Sequence, residues 1–175
     1  MDPNELKTEA EALRMALSAG VIRPVDVIDW ADACIAAEAA PHISLIEIAL
    51  AVNEGVERLG HRLADVPGEA DESLAIRIIL KALLEQLDGE GADPRQVADH
   101  LYTLARRPDW LESEFGTEPY WLDDLFNREP SYRGVFYTEA LAAFRAYLTS
   151  HAIKVPAQSV RRNAENILGM ALRSR

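Results

Sequence analysis

Cysteine occurs once in this 175-residue chain, as Cys34. A single thiol excludes an internal disulfide and any multi-cysteine metal site. Its neighbours, Ala33 and Ile35, fall on an expected helix, and no base lies close in sequence. Cys34 therefore reads as a small buried side chain rather than a nucleophile. Long apolar runs are also missing. No stretch approaches the roughly 20 apolar residues that span a bilayer. The opening residues, MDPNELKTEAEALRMAL, are acidic and amphipathic. They lack the basic region followed by an apolar region that marks a secretory signal. A cytoplasmic protein that does not enter the membrane is expected.

Basic charge is scarce. Lys and Arg number 18 against 29 Asp and Glu, a net charge of −11. Such a chain repels a phosphate backbone at long range, so nucleic acid is not an expected partner; a basic protein surface is. The usual chemical signatures are absent as well. Gly55 and Gly60 flank VERL without the Lys and Ser/Thr of a phosphate loop, and GEG at 89–91 follows a helix, not a strand. No Gly-x-Ser-x-Gly occurs. His42, His61, His100 and His151 are far apart in sequence. Glu57 and His61, four apart, suit a surface ion pair, with no second acid-histidine pair to complete a metal site. Asp26, Asp29 and Asp32 recur every three residues; Asp26 suits the first turn of a helix and the others a solvated face. No cofactor, metal or catalytic residue is expected.

The chain does have an apolar half, 49% of its residues, rich in Ala and Leu. That composition favours helix over sheet. Asp2-Pro3 caps a first helix that ends at Gly20, and Arg23-Pro24 precedes a second, from about Val25 to Ala37, with Trp30 near its edge. The run from Leu45 to Val52 is apolar nearly all round, which predicts a central, buried helix. Residues 54–63 form another helix or continue the previous one. After a loop at 64–71, Asp71 caps the strongest helical pattern in the chain, carrying Leu74 to Leu87. Asp93-Pro94 caps a helix reaching about Arg106. Pro108, Pro119 and Pro130 predict short helical turns between bends. Helix resumes from Val135 to about Ser150, and Pro156 opens a last one with Val160, Ile167, Leu168, Met170 and Leu172. The expected fold is all-α: one domain over 1–175, a compact bundle or orthogonal array of seven to nine helices.

Charge and aromatics are unevenly placed. Residues 109–129 carry seven acids and one base, whereas 130–175 carry two acids and seven bases, including Arg161, Arg162, Arg173 and Arg175. Eleven of the twelve aromatics lie between Tyr102 and Tyr147. The stretch WLESEFGTEPYWLDDLF combines both biases, and it supplies the candidate partner-binding residues: Trp110, Glu112, Glu114, Glu118, Tyr120, Trp121, Asp123 and Asp124. Two readings divide them. Rings that pack on neighbouring helices with acids facing water would make a core with a solvated rim. One or two exposed rings among the carboxylates would make a docking surface, since Trp and Tyr anchor interfaces inside a polar ring.

Residues 18–51, SAGVIRPVDVIDWADACIAAEAAPHISLIEIALA, carry Gly20, Val21-Ile22, Pro24, Trp30-Ala31-Asp32 and the LIEIALA run. This pattern resembles small helical bacterial proteins of the immunity type, found beside toxins. The resemblance implies a cytoplasmic protein that binds and blocks a basic toxin domain, and it assigns no individual site residue. The alternatives are a self-associating helical module, with a homodimer as its simplest form, and an enzyme with a dispersed carboxylate or metal site.

Overall fold

A computed structural model describes residues 2–107, 110, 113–127 and 135–152. The side chains at 123, 125–127, 135 and 136 lie outside that description, as do the expected last helix and its arginines. Among the described residues there are eight α-helices and no strand: α1 Pro3–Ser18, α2 Pro24–Ala37, α3 Ile43–Ala49, α4 Val56–Ala64, α5 Glu72–Leu87, α6 Pro94–Ala105, α7 Glu118–Asn127 and α8 Val135–His151. The all-α expectation holds.

Local chemistry sets most of the boundaries. The side chains of Asp2, Asp71 and Asp93 accept from the backbone N–H groups of Asn4, Leu74 and Arg95 at 2.9, 2.9 and 3.0 Å, satisfying donors that a helix start leaves bare. α1 ends in a Schellman motif. Gly20 takes φ +73°, its N–H donates to the Leu17 carbonyl at 3.2 Å, and Val21 N–H donates to Ala16 at 2.9 Å. α2 begins differently: the Asp26 carboxylate turns back to the Arg23 N–H at 2.7 Å and to its guanidinium at 3.0 Å.

Two helices sit where the periodicity does not put them. α1 is the buried centre. From Thr8 to Leu17 every residue except Arg14 is buried, and α1 packs on both α4 and α5. Its polar positions disguise this in the sequence, and each has a partner in the structure. Thr8 Oγ1 accepts from Asp71 N–H at 3.0 Å. Trp30 Nε1 donates to Glu9 Oε2 at 3.1 Å, and Arg14 grips Glu11 with two bonds of 2.8 and 2.5 Å. Buried polar groups are tolerated when paired this way. Trp30, expected near an edge, is fully buried by the same contact.

α3, by contrast, is not central. It has only seven residues and packs on α2 and α4 through Leu45 and Ile48. Ile43 and Leu50 remain 58% and 78% exposed. An all-round apolar run signals burial only when the helix is long enough to be surrounded, and this one stops after two turns. The helix following it, α4, is separate rather than a continuation.

In the second half α5 packs on α6, α6 on α7, α7 on α8, and α8 returns to α5. Pro119 occupies the first turn of α7, a position that loses no intrahelical hydrogen bond. A ten-residue helix therefore stands where short turns are expected. One contiguous core runs from Leu6 on α1 to Leu148 on α8.

Candidate docking face on helix α7

The path into α7 is a tightly held loop. Trp110 is buried, and its indole N–H donates to the Gly116 carbonyl at 3.1 Å. Phe115 is buried beside it, ring centroids 5.2 Å apart. The Arg77 guanidinium of α5 covers the Phe115 ring at 5.5 Å, donates to the His151 carbonyl of α8 at 2.9 Å, and pairs with Glu114 at 2.5 Å. Ser73 also donates to Glu114. From the other side, the Tyr147 hydroxyl donates to the Phe115 carbonyl at 2.9 Å. Burial, helped by the nearby Glu118 carboxylate, pushes the Tyr147 phenol far above its ordinary pKa, so it stays a neutral donor.

These contacts sort the candidate residues. Trp110 points inward. Glu114 is exposed, yet Ser73 and Arg77 hold it; the Ser73 hydrogen bond lowers its pKa, desolvation acts against that, and Arg77 lowers it further. Tyr120 is half-buried: its hydroxyl donates to the Ala105 carbonyl at 2.6 Å, and its ring meets Tyr102 edge to face at 5.8 Å. It pins α7 to α6. Leu122, two residues on, is fully buried.

Trp121 is the exception. It is 43% exposed. Glu118 and Asp124, both exposed, stand three residues before and after it, on the same side of the helix. Glu118 opens α7, and its carboxylate folds back over Gly116, where the chain turns with φ +67°. Thus one indole lies between two acidic positions on the outer side of α7, while the inner side is fastened to α6 and α8. Glu112 and the side chain of Asp123 lie outside the described residues.

This arrangement can hold a cation. An ammonium or guanidinium over an indole gains roughly 0.5–1 kcal/mol at an exposed site and about 2 when water is excluded. The flanking carboxylates would attract the same group and speed its arrival.

A second feature escaped the sequence reading. Of the large apolar side chains left exposed, Ile43, Leu50, Val52 and Val56 fall within fourteen residues of one another. The signal was present, since α3 is apolar on more sides than two neighbouring helices can cover.

A cleft of about 370 Å³ lies between the start of α1, the 64–71 loop and α5. Glu5, Glu9, Glu69 and Asp71 line it. Trp30 engages Glu9, and Asp71 caps α5. Among the described residues no group of three or more His, Cys, Asp or Glu is arranged to hold a metal, and no helix is long and apolar enough to cross a membrane. Comparison with protein families, with curated proteins and with solved structures finds no match to this chain.

Proposed function

We propose that this protein acts by binding another protein, and that the outer face of α7 receives a basic surface of that partner. The observation that supports this reading is the half-exposed Trp121 set between Glu118 and Asp124 on a helix whose other side is anchored. A preorganised aromatic anchor loses little entropy on binding, and hot spots of this kind favour Trp within a polar rim. The net charge of −11 adds long-range attraction for a cationic partner. The partner class we infer is a bacterial toxin domain, which this protein would mask as an immunity-type inhibitor. That finer step rests on the resemblance of residues 18–51 to helical immunity proteins.

The test is capture of partners from an extract of the source cells by wild type and by Trp121→Ala. Wild type should retain a protein of positive net charge, and Trp121→Ala should weaken the complex by about 30-fold in Kd, the loss typical of a hot-spot Trp. The variant should keep its helical circular dichroism and a cooperative melt. Partners that are acidic, or that bind Trp121→Ala equally well, would refute the α7 site.

A further inference from the structure

The exposed apolar corner around α3 has no role in that binding. Ile43 and Leu50 stand on one side of α3, at i and i+7, and Val52 and Val56 follow in the turn and at the start of α4. Ile43, Leu50, Val52 and Val56 are 58, 78, 67 and 46% exposed. Together they leave on the order of 450 Å² of mainly aliphatic surface in water, as much as the largest apolar patch of a typical monomer. The corner is also held in shape. The Glu54 N–H donates to the Ala51 carbonyl at 2.9 Å and closes the turn, and Arg62 of α4 grips the Glu54 carboxylate through bonds of 2.7 and 2.6 Å. A surface fixed in this way loses little entropy when it is covered.

We propose that the occupant is a second copy of this chain, and that α3 with the turn after it forms the contact of a two-fold homodimer. Two observations select a copy of the chain itself. The first is area. Homodimer interfaces are about 65% apolar. A patch of roughly 450 Å² therefore supplies the apolar share of about 700 Å² per subunit, inside the range of roughly 600–1,000 Å² that a stable complex buries on each side. The second is charge. Residues 42–63 carry three acids and two bases, a net −1 in a chain of net −11. Glu54 and Arg62 pair with each other, which leaves exposed Glu47 and Glu57 beside exposed Arg58. A rim of both signs can complement itself: in an isologous contact the Arg58 of each copy answers a glutamate of the other. A strongly basic partner finds its attraction on the acidic remainder of the chain instead. Different helices carry the two contacts, for α7 packs on α6 and α8, and α3 chiefly on α2 and α4.

The mass of the full chain in solution over a range of concentrations, together with hydrogen exchange, tests this. Interfaces of this size hold at micromolar strength or tighter, so wild type should have a dimer mass at about 100 μM and approach the monomer on dilution. Amides of 50–56 should exchange severalfold more slowly as the dimer forms, while those of α6 and α8 keep their rates. Leu50→Glu combined with Val52→Glu, both at exposed positions, should raise the dimer Kd by about 100-fold and keep the helical circular dichroism. Arg58→Glu, which spares the apolar patch, should raise it by about tenfold. Trp121→Ala should leave the dimer intact, so failure of the α7 site and failure of this one are told apart. A monomer at every concentration overturns the proposal, and so does a dimer that Leu50→Glu with Val52→Glu leaves unchanged or that Trp121→Ala abolishes. A mass that keeps growing past two copies also overturns it, because a two-fold contact closes on itself.

Discussion

The loop entering α7 and the corner around α3 use apolar side chains in opposite ways. The first is crowded with rings and acids, yet it buries Trp110 and Phe115 and leaves Trp121 half in water. The second is almost purely aliphatic and leaves four large side chains exposed. Composition alone ranks them the other way. The difference lies in what surrounds each segment. The ring-rich loop is enclosed by α5, α6 and α8; Arg77 holds its Glu114 and Tyr147 its Phe115 carbonyl, while Tyr120 ties the following helix to α6. Among the described residues α3 packs chiefly on α2 and α4, and Ile43 and Leu50 stay exposed to water.

The largest effect should come from emptying the enclosed loop. Phe115→Ala removes a ring packed by Trp110 and covered by Arg77. It should cost about 3–5 kcal/mol, or roughly 10 °C in Tm, by thermal melt. A loss below about 1 kcal/mol would mean the loop is not core and would erase the contrast with α3.

Two positive-φ glycines with close neighbours, Gly68 and Gly116, come next. Gly68 has φ +120°, and a Cβ there would lie 2.5 Å from the Pro3 carbonyl oxygen, part of a backbone that cannot yield. Gly68→Ala should lose about 3 kcal/mol in a urea titration. Gly116 has φ +67°, and its obstacle is the end of the Glu118 side chain, which can rotate away. Gly116→Ala should lose nearer 1 kcal/mol. Equal losses would show that the Glu118 carboxylate is held as firmly as backbone.

pH separates the buried ion pair from the exposed one. Desolvation raises the Glu11 pKa, but the Arg14 bonds, with Arg107 and Lys7 nearby, more than offset it, and the folded value lies below 4.5. A depressed carboxylate contributes stability that is complete above its unfolded pKa and is lost as pH falls through the folded one. Urea midpoints should therefore fall between about pH 5 and pH 3, and Glu11→Gln should flatten part of that slope. An unchanged slope in Glu11→Gln would remove Glu11 from the acid response.

The smallest effect belongs to Glu114, which is exposed although Arg77 and Ser73 bind it. Glu114→Gln should cost under about 1 kcal/mol, and the difference should shrink as salt rises from low to physiological ionic strength. A larger, salt-insensitive loss would make this pair part of the core lock on the loop.

Much of the fold could be read from the chain itself, because helix ends depend on nearest neighbours. Asp2, Asp71 and Asp93 cap the helices they precede, and Gly20 takes the left-handed turn, through bonds to residues two to five positions away. The all-α class follows from the same local preferences. The candidate site was legible as a segment and not as a surface. Trp110, Tyr120 and Trp121 are alike in sequence as rings among acids. Trp110 turns to a carbonyl six residues on, Tyr120 to one fifteen residues back, and Trp121 faces water. α1 and α3 show the same limit. Glu9 and Glu11 make α1 look half solvated until Trp30 and Arg14 supply partners, and α3 looks central, yet Ile43 and Leu50 stay exposed to water. Local hydrogen bonding and turn chemistry are written in adjacent residues. Which side of a helix is buried depends on neighbours far away in the chain, and that was decided by the tertiary packing alone.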